Sequence, residues 1–522
     1  MAEQREDKVA AEKPGDPFWS AERSRKIKTR WVVEGDLVLQ TPAHFGNGDG
    51  AGLTDMPLLK AADNDKVPLL TGASIAGALR AYLRSHQLGY RIKPDKKTKE
   101  RDSAAVRLFG GAKGDAEGMQ SPLIVEDAYG TAGAIETRNG VKLNAHSRTA
   151  ENNALFNLEA WPTGTSFPLR VELLVSEDAD EAALLSALVT ALQGFNDGGI
   201  TLGARKSRGF GRATVGAWRV KPFHLESPVG LADWLLNGAE KLSGTPVATL
   251  SEALKGTQAL PDDKRNLFTL TAKFALDGSL LVRSGGGRDD IEPDMVHTTS
   301  NGRPVLPGTS LAGALRARAS KISNTLAANR KDADALMDYL FGRDMHKADE
   351  GGVRPQPTAS RISVEEHEVT LQPNVAGGGR FDLVQSRVAI DRFTGGALDT
   401  ALFTEQPVFG GDHTEVQVCV KLINPHEYDV GLLLLLLKDL WTGDLPLGGE
   451  ISVGRGRLKG KEAVLAWKAR GIDCTIRAQG DALQPVDGAT AGVLNGFVKA
   501  LKENLNKHPT ATKAEATQEV NV

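Results

Sequence analysis

The sequence is poor in cysteine, in aromatic residues and in long apolar runs. Its two cysteines, Cys419 and Cys474, have no spacing typical of metal ligands, so neither a disulfide framework nor a cysteine zinc site is expected. A chain with so few cysteines fits a reducing cytoplasm. The longest apolar run, residues 432–437, is far shorter than the roughly 20 residues that span a bilayer. It predicts a buried helix, and we expect no membrane partner.

An excess of charge of one sign is also missing. The 63 basic and 66 acidic residues give a formal net charge of -3, which excludes a basic coat that binds any polyanion. Aromatic residues make up 5%, which disfavours binding through many base-stacking platforms. Any contact with nucleic acid must therefore come from local basic patches. At roughly 100 to 200 residues per domain, a chain of 522 residues predicts two to four domains.

The chain contains an internal repeat. PLLTGASIAGALRAYL at residues 68–83 matches PVLPGTSLAGALRARA at residues 304–319 at ten of sixteen positions, and a Leu-Phe-Gly follows each, at 108–110 and 340–342. LNAHSRTAENNALFNLE (143–159) then aligns with IDRFTGGALDTALFTEQ (390–406). Glycine- and arginine-rich loops close both copies, LGARKSRGFGR (202–212) and LGGEISVGRGR (447–457). Four blocks in one order indicate the tandem duplication of a domain of about 200 residues.

The order of elements predicts an α+β fold made of two tandem ferredoxin-like (RRM-like) domains. Each copy starts with strand-like alternation, continues with a helix and strands, and ends with an apolar helix and a final strand. We predict a disordered N-terminal tail (1–26), a first domain (27–223), a connecting segment (224–265), a second domain (266–470), and a C-terminal extension with a polar tail (471–522).

Each Gly-x-Ser block opens a predicted helix. Ser74 and Ser310 stand where an N-cap would accept backbone N–H bonds, and the same hydroxyls could bind a phosphate at the helix start. Arg80 and Arg316, six residues later, fall on the same helices and are candidate RNA contacts.

These blocks, in this order, resemble the RAMP superfamily of CRISPR-associated proteins, in particular the backbone subunits of type III effector complexes. The second half follows the family pattern closely, with Pro-Gly-Thr-Ser-Leu at 307–311 and then Asp391, Arg392, Thr394, Gly395 and Ala397. The first half differs, with Thr71 in place of the proline and Asn-Ala-His at 144–146 in place of Asp-Arg-x.

The resemblance implies a role. Such subunits polymerise along a guide RNA together with other type III effector subunits, and a thumb-like hairpin from each interrupts the duplex of guide and target RNA. The displaced target nucleotide is cleaved beside a loop aspartate with a divalent metal, Mg²⁺ being the expected ion. Two fused domains resemble the type III-D branch and would supply two adjacent backbone positions.

The resemblance implies a catalytic and metal-binding loop aspartate in each copy. We assign these roles to Asp55 and Asp294, because an Asp-Met dipeptide occurs in both loops before the Gly-x-Ser blocks. Alignment by equal loop length favours Asp290 or Asp289 instead of Asp294. Lys60 and His297 lie near these loops and are expected to be solvent-exposed. The alternative is that both aspartates only accept backbone bonds in turns.

The glycine-rich loops predict RNA-backbone contacts, because glycine permits close approach and arginine binds phosphate bidentately. The candidate residues are Arg205, Lys206, Arg208 and Arg212 in the first domain, and Arg455, Arg457 and Lys459 in the second, with Arg392 from the family block.

Two rival functions stay open. The chain could be a non-catalytic RNA-binding scaffold of the complex, or a guide-processing endoribonuclease that uses His146 as a general acid or base.

Overall fold

A computed structural model of the chain describes residues 26–48, 55–92, 103–111, 120–144, 149–254, 256–285, 293–343, 356–479 and 482–506. The predicted N-terminal tail, apart from Lys26, lies outside the described residues. The same holds for the end of the polar tail, residues 507–522.

The first domain is a ferredoxin-like α+β unit, as predicted. Its main sheet has the order β3-β7-β1-β9 and every pairing in it is antiparallel. In chain order this is second, third, first and fourth strand, the ferredoxin-like arrangement. The elements are β1 (Ile27–Leu39), β2 (Leu69–Leu70), α1 (Gly72–Leu88), α2 (Ala104–Phe109), β3 (Leu123–Val125), β4 (Ala128–Tyr129), β5 (Glu136–Leu143), β6 (Ala150–Ala160), β7 (Ser166–Ser176), α3 (Glu181–Asn196), β8 (Arg208–Gly209) and β9 (Ala213–His224).

A connecting segment with α4 (Pro228–Asn237) and α5 (Leu250–Ala253) leads to the second domain. It also covers the outer edge of β9, because the backbones of Trp218 and Val247 exchange N–H···O bonds of 3.0 and 2.9 Å. Ser227 caps α4 by accepting a bond of 2.9 Å from the Gly230 N–H, and Pro228 follows at the first helical position, where its missing N–H costs nothing.

The second domain repeats the arrangement: β20, β10 and β19 lie side by side, and β15 and then β16 pair with successive parts of the other edge of β19. The elements are β10 (Leu267–Leu280), β11 (Arg283–Gly285), β12 (Met295–His297), β13 (Thr299–Ser300), β14 (Arg303–Leu306), α6 (Gly308–Leu326), α7 (Arg330–Phe341), β15 (Ile362–Glu365), β16 (His367–Thr370), β17 (Gln385–Ile390), β18 (Ala397–Gln406), β19 (Val408–Ile423), α8 (Glu427–Trp441) and β20 (Arg457–Trp467).

The C-terminal extension continues the sheet of the second domain. It forms a hairpin of β21 (Ile472–Gln479) and β22 (Ala482–Asp487), which lengthens the sheet beyond β20, and then α9 (Ala491–Leu505), which packs on α8. Pro485 concealed the second strand in the sequence. Proline is tolerated there because β22 is an edge strand, where a missing N–H breaks no ladder.

Apolar burial explains why these segments fold. In α8 the predicted buried helix is confirmed, since Leu432, Leu433, Leu436 and Leu437 are each at most 2% exposed. Fully burying one such side chain contributes about 1.5 to 3 kcal/mol. Each domain has its own large apolar cluster, built from the inner face of its sheet and from its long helices.

The helix starts correct one prediction. Ser74 and Ser310 are not N-caps, because α1 and α6 begin two residues earlier, at Gly72 and Gly308. Thr71 is the N-cap of α1, and its hydroxyl accepts the Ser74 N–H at 3.3 Å. Pro307 precedes α6 without a side-chain cap bond. Thr71 and Pro307, which precede the two helices, have extended backbones. The first helical turns therefore begin at Gly72 and Gly308.

The two domains meet at a contact that we call the seam. There β8 of the first domain pairs in parallel with β15 of the second, with Val364 N–H donating to the Ser207 carbonyl at 3.2 Å. Arg212 Nη1 lies 2.7 Å from Glu365 Oε2. The glycine-rich loop of one domain therefore extends the sheet of the next.

His297 is fully buried, contrary to the expectation of exposure. Its Nδ1 accepts the Val282 N–H at 3.1 Å and its Nε2 lies 2.9 Å from the Val305 carbonyl. A carbonyl can only accept, so the ring is the neutral tautomer with the proton on Nε2. Burial lowers the pKa of His297 from its ordinary 6.5 to about 4.

This histidine predicts an acid-sensitive second domain. As pH falls from 6.5 to 4, the unfolded chain binds a proton at His297 while the folded chain does not, so stability should fall by up to about 3 kcal/mol. Urea unfolding at pH 7.5 and pH 4.5 measures this loss. His297→Gln offers both hydrogen-bonding roles without titrating, and an equally large loss in that variant would contradict the assignment.

Candidate nucleic-acid interface

Asp55 and Asp294 occupy equivalent positions in the two domains. The Asp55 N–H donates to Asn157 Oδ1 at 2.8 Å, and the Asn157 N–H donates to Asp55 Oδ2 at 2.8 Å. The Asp294 N–H donates to Thr404 Oγ1 at 3.0 Å, and the Thr404 N–H donates to Asp294 Oδ2 at 2.7 Å. We call this arrangement the reciprocal bond pair. It ties each loop to the same position of its hairpin, on β6 or on β18.

The geometry therefore matches Asp294 with Asp55, in agreement with the Asp-Met alignment. The competing Asp289 and Asp290 lie outside the described residues. Both matched aspartates are exposed. The Thr404 backbone and hydroxyl donors lower the pKa of Asp294, so its carboxylate is charged at neutral pH.

A guanidinium lies near the phenylalanine that precedes the strand residue of each reciprocal bond pair. Arg205 Cζ is 4.5 Å from the centroid of the Phe156 ring, and Arg387 Cζ is 6.0 Å from that of Phe403. The two phenylalanines are equivalent and directly precede Asn157 and Thr404. The two arginines are not equivalent in sequence.

The counterpart of Arg205 is Glu450, which pairs with Arg387 at 2.6 Å. The sequence predictions did not include Arg387, because their basic candidates came from the glycine-rich loops, the helix starts and the family block. The available signal was the arginine of QSRVAI, in the strand that pairs with β18.

Two partly buried arginines, Arg205 and Arg208, lie close to each other at the seam. Burial lowers the pKa of Arg205, and burial together with nearby Arg316 and Arg205 lowers the pKa of Arg208. Among the residues that the structure describes, no carboxylate pairs with either guanidinium. Lys206 is exposed between them. Partly buried positive charge without a counterion is costly unless an anion completes the site, which is what an RNA phosphate would do.

Arg316 joins this group from the second domain, on α6, where its Nη2 also lies 3.7 Å from Asp338. A predicted contact of one domain is thus brought beside those of the other. The start of α6 is closed to a ligand from this side, because the Arg208 carbonyl would be 2.3 Å from a Cβ at Gly308. Ser310 lies in that first turn, whereas Ser74 is exposed at the start of α1.

The equivalent loop of the second domain is neutralised internally. Arg455 is buried and pairs with Glu405 at 2.9 Å and with Glu450 at 3.1 Å. Arg455 and Glu405 occupy the positions at which the first domain packs Phe210 against Leu158. The Arg455 guanidinium is already paired inside the fold, so its RNA contact stays a prediction that this placement does not favour.

The remaining candidates are dispersed. Arg80 donates to the Gly110 carbonyl at 3.1 Å, which ties α1 to the Leu-Phe-Gly turn. Arg457 and Lys459 are exposed on β20. Arg392 is exposed at the tip of the β17–β18 hairpin, next to Phe393, which is 100% exposed. Arg212 is engaged by Glu365 at the seam, and His146 lies outside the described residues.

Two kinds of metal site can be compared. Glu365, His367 and Cys419 bring ligand atoms within 4.8 Å of one another. Arg212 and Lys421 each already lie 2.7 Å from that carboxylate and would repel a dication. Asp55 and Asp294 fit Mg²⁺ better, because this ion keeps several waters and is commonly held by one or two carboxylates together with substrate phosphates.

Comparison with known proteins agrees with this architecture. The model of the RAMP superfamily matches residues 36–214 and 273–459, one stretch in each domain and together more than half of the chain. The chain therefore belongs to the RAMP superfamily, as a tandem of two RAMP repeats. No curated protein matches it. Across the described part of the chain, no helix is long and apolar enough to cross a membrane.

The group at the seam gives a prediction. Arg208→Ala should weaken binding of single-stranded RNA and lower the slope of log K against log salt by about 0.7 for each phosphate that the protein no longer neutralises. Folding stability should not fall, because the variant removes a desolvated charge that has no acidic partner. Salt-dependent RNA titration and urea unfolding measure both quantities.

Arg477→Ala is the matched control, since Arg477 is paired with Glu462 at 2.8 Å on the distant β21. An unchanged salt slope in Arg208→Ala, or an equal change in the control, would contradict an RNA phosphate at the seam.

Proposed function

We propose that this protein is a backbone subunit of a type III CRISPR effector that binds guide RNA and cleaves the target RNA at two sites. Asp55 and Asp294 would be the catalytic residue of each domain. One observation carries the proposal: the two domains hold an exposed loop carboxylate at the same position, bonded in the same way to the strand residue that follows an equivalent phenylalanine.

The chemistry that this arrangement supports is transfer within the RNA backbone. The substrate 2′-hydroxyl gives its proton to water and its oxygen forms a bond to the adjacent phosphorus, while the bond from phosphorus to the 5′-oxygen breaks. The 5′-oxygen takes a proton from water, which leaves a 2′,3′-cyclic phosphate and a 5′-hydroxyl. Asp55 or Asp294 would orient that hydroxyl, and in the first domain the guanidinium of Arg205, which contacts Met56 next to Asp55, would offset the phosphate charge. Mg²⁺, held by the same aspartate, would add further charge neutralisation when bound.

The seam supports the backbone role. The loop tip of the first domain pairs with β15 of the second, and the chain also contains a second loop tip and a second strand equivalent to these two. The equivalent tip of the second domain exposes Ile451 and Val453, at 42% and 57%. The strand equivalent to β15 is β3, the outermost strand of its sheet. Neighbouring subunits of the effector would stack there as the two domains do here.

The hairpin of the second domain supports the proposed thumb. Asp391 accepts the Phe393 N–H at 2.8 Å and the Gly395 N–H at 2.9 Å, which closes a tight turn. The turn leaves the ring of Phe393 fully exposed, so this side chain does not stabilise the fold by apolar burial. Such a ring is suited to stack on a base of an opened duplex.

Aspartate variants test the proposal in the assembled complex on labelled target RNA. Asp55→Asn should abolish one cut and Asp294→Asn another, one backbone step apart, with target binding unchanged. Asparagine can still accept the strand N–H, so only the charge is removed. Alanine variants provide the comparison.

A specific observation favours a scaffold as the second candidate: the strand already uses Oδ2 of both aspartates, as a turn aspartate would. Normal cutting in both asparagine variants would support that scaffold and refute the catalytic proposal. Metal-independent cutting of precursor RNA by the isolated chain, abolished in His146→Ala, would instead support guide processing.

The exposed loop tip of the second domain, residues 451–453, gives a separate prediction about assembly of the complex. Val453→Glu should block entry of the chain into the complex without loss of stability, because an exposed residue usually changes stability by less than about 0.5 kcal/mol. Co-purification with the other subunits measures assembly. Val486→Glu is the control, since Val486 is 49% exposed on β22, away from the tip. Normal assembly of the Val453 variant would exclude this surface.

A further inference from the structure

The reciprocal bond pair is present in both domains although its chemistry differs. In the first domain the strand residue is Asn157, whose amide oxygen accepts the loop N–H at 2.8 Å. In the second it is Thr404, whose hydroxyl accepts the loop N–H at 3.0 Å and donates to Asp294 Oδ2 at 3.0 Å. Both domains thus keep a side-chain acceptor on the strand and a strand N–H directed at Oδ2.

The surroundings of this bond pair have changed greatly between the domains. The next strand residue is Leu158 in one domain and Glu405 in the other, and both are buried. The facing loop residue is Phe210 in the first domain and Arg455 in the second, so an apolar contact in one domain corresponds to an ion pair in the other. The aspartate and its bonds to the strand are present in both domains, although the side chains that pack beneath them differ. Packing alone therefore does not account for the bond pair.

The bond pair uses one carboxylate oxygen and not the other. Every hydrogen bond from the strand reaches Oδ2, in Asp55 and in Asp294 alike. Two bonds to one residue also fix the loop backbone, because the aspartate N–H is held by the same strand residue. A carboxylate held in this way has little freedom to rotate, and Oδ1 is not used by the strand.

We propose that Asn157 and Thr404 are positioning residues, which hold the loop backbone and Oδ2 so that Oδ1 of Asp55 or Asp294 faces the RNA backbone. This inference rests on the proposed function. Orientation of a catalytic group contributes strongly to rate, and a shift of about 1 Å can cost about 100-fold.

The test uses the full chain in the assembled complex and measures single-turnover rates at the two cuts separately. Asn157→Leu and Thr404→Val keep side-chain size and remove the acceptor. Each should slow its own cut about 10- to 100-fold and leave the other cut unchanged. Target affinity should stay at the wild-type value. Hydrogen exchange at the loop amides should rise, which reports the released loop independently of cleavage.

The duplication supplies matched rescue variants. Asn157→Thr and Thr404→Asn exchange the two natural solutions, and each retains an acceptor on the strand. Both should cut within a few-fold of the wild-type rate, whereas a role in packing would not follow the acceptor. Slow cutting in these exchange variants, with normal assembly, would overturn the proposal.

The remaining outcomes separate this inference from the proposed function. Wild-type rates in Asn157→Leu and Thr404→Val, together with abolished cuts in Asp55→Asn and Asp294→Asn, would overturn the positioning role alone. Normal cuts in the asparagine variants would overturn the catalytic function and this inference with it. Loss of both cuts in a single Asn157 or Thr404 variant would indicate general disruption and would also overturn it.

Discussion

The pairing of β8 with β15 is the contact on which the arrangement of the whole chain depends. A short strand of the first domain becomes part of the sheet of the second, and Arg138 of the β5–β6 hairpin reaches Glu366 at 3.1 Å. Both of these side chains are buried. Breaking such a contact would leave a charge without a partner inside the protein, which is far more costly than losing a surface ion pair. The two domains are therefore held in a defined relation.

Burial, with Glu136 nearby, raises the pKa of Glu366 to about 7 against the opposing effect of Arg138. Glu365, its neighbour, behaves in the opposite way. Burial would raise its pKa, but His367, Lys421 and Arg212 outweigh burial and lower the pKa to about 2. Adjacent carboxyl groups in one contact thus differ because one is surrounded by cations and the other shares a single guanidinium with a second acid.

The two domains share the same arrangement of strands and helices but carry different charges at equivalent positions. Among the residues that the structure describes, no carboxylate pairs with Arg205 or Arg208 of the first domain, whereas Glu450 and Glu405 neutralise the arginines of the second. A guanidinium nevertheless lies over an equivalent phenylalanine in both domains, contributed by a loop in one and by a hairpin strand in the other. The two domains therefore have a guanidinium at the same place in the fold, although the arginines that supply it stand at non-equivalent positions in the sequence.

Much of the fold could be read from the sequence because alternation, apolar helices and the repeat are local patterns. The strands and helices around the cores fall where these patterns place them. The helix starts were missed because Ser74 and Ser310 have suitable side chains but lie inside the first turn. His297 was missed because its burial depends on Val282 and Val305, which the sequence does not place beside it. Arg387 was missed because the pairing that brings it to Phe403 is a property of the folded hairpin.

Each domain also covers the outer edge of its final strand with the segment that follows it in the chain. The connecting segment lies along β9, and the β21–β22 hairpin lies along β20. Uncovered sheet edges invite sideways association with other chains. The β21–β22 hairpin moves the outer edge of the second sheet from β20 to β22, and β22 contains Pro485. Because proline lacks a backbone N–H, a proline on an edge strand discourages the pairing of a further strand from another molecule.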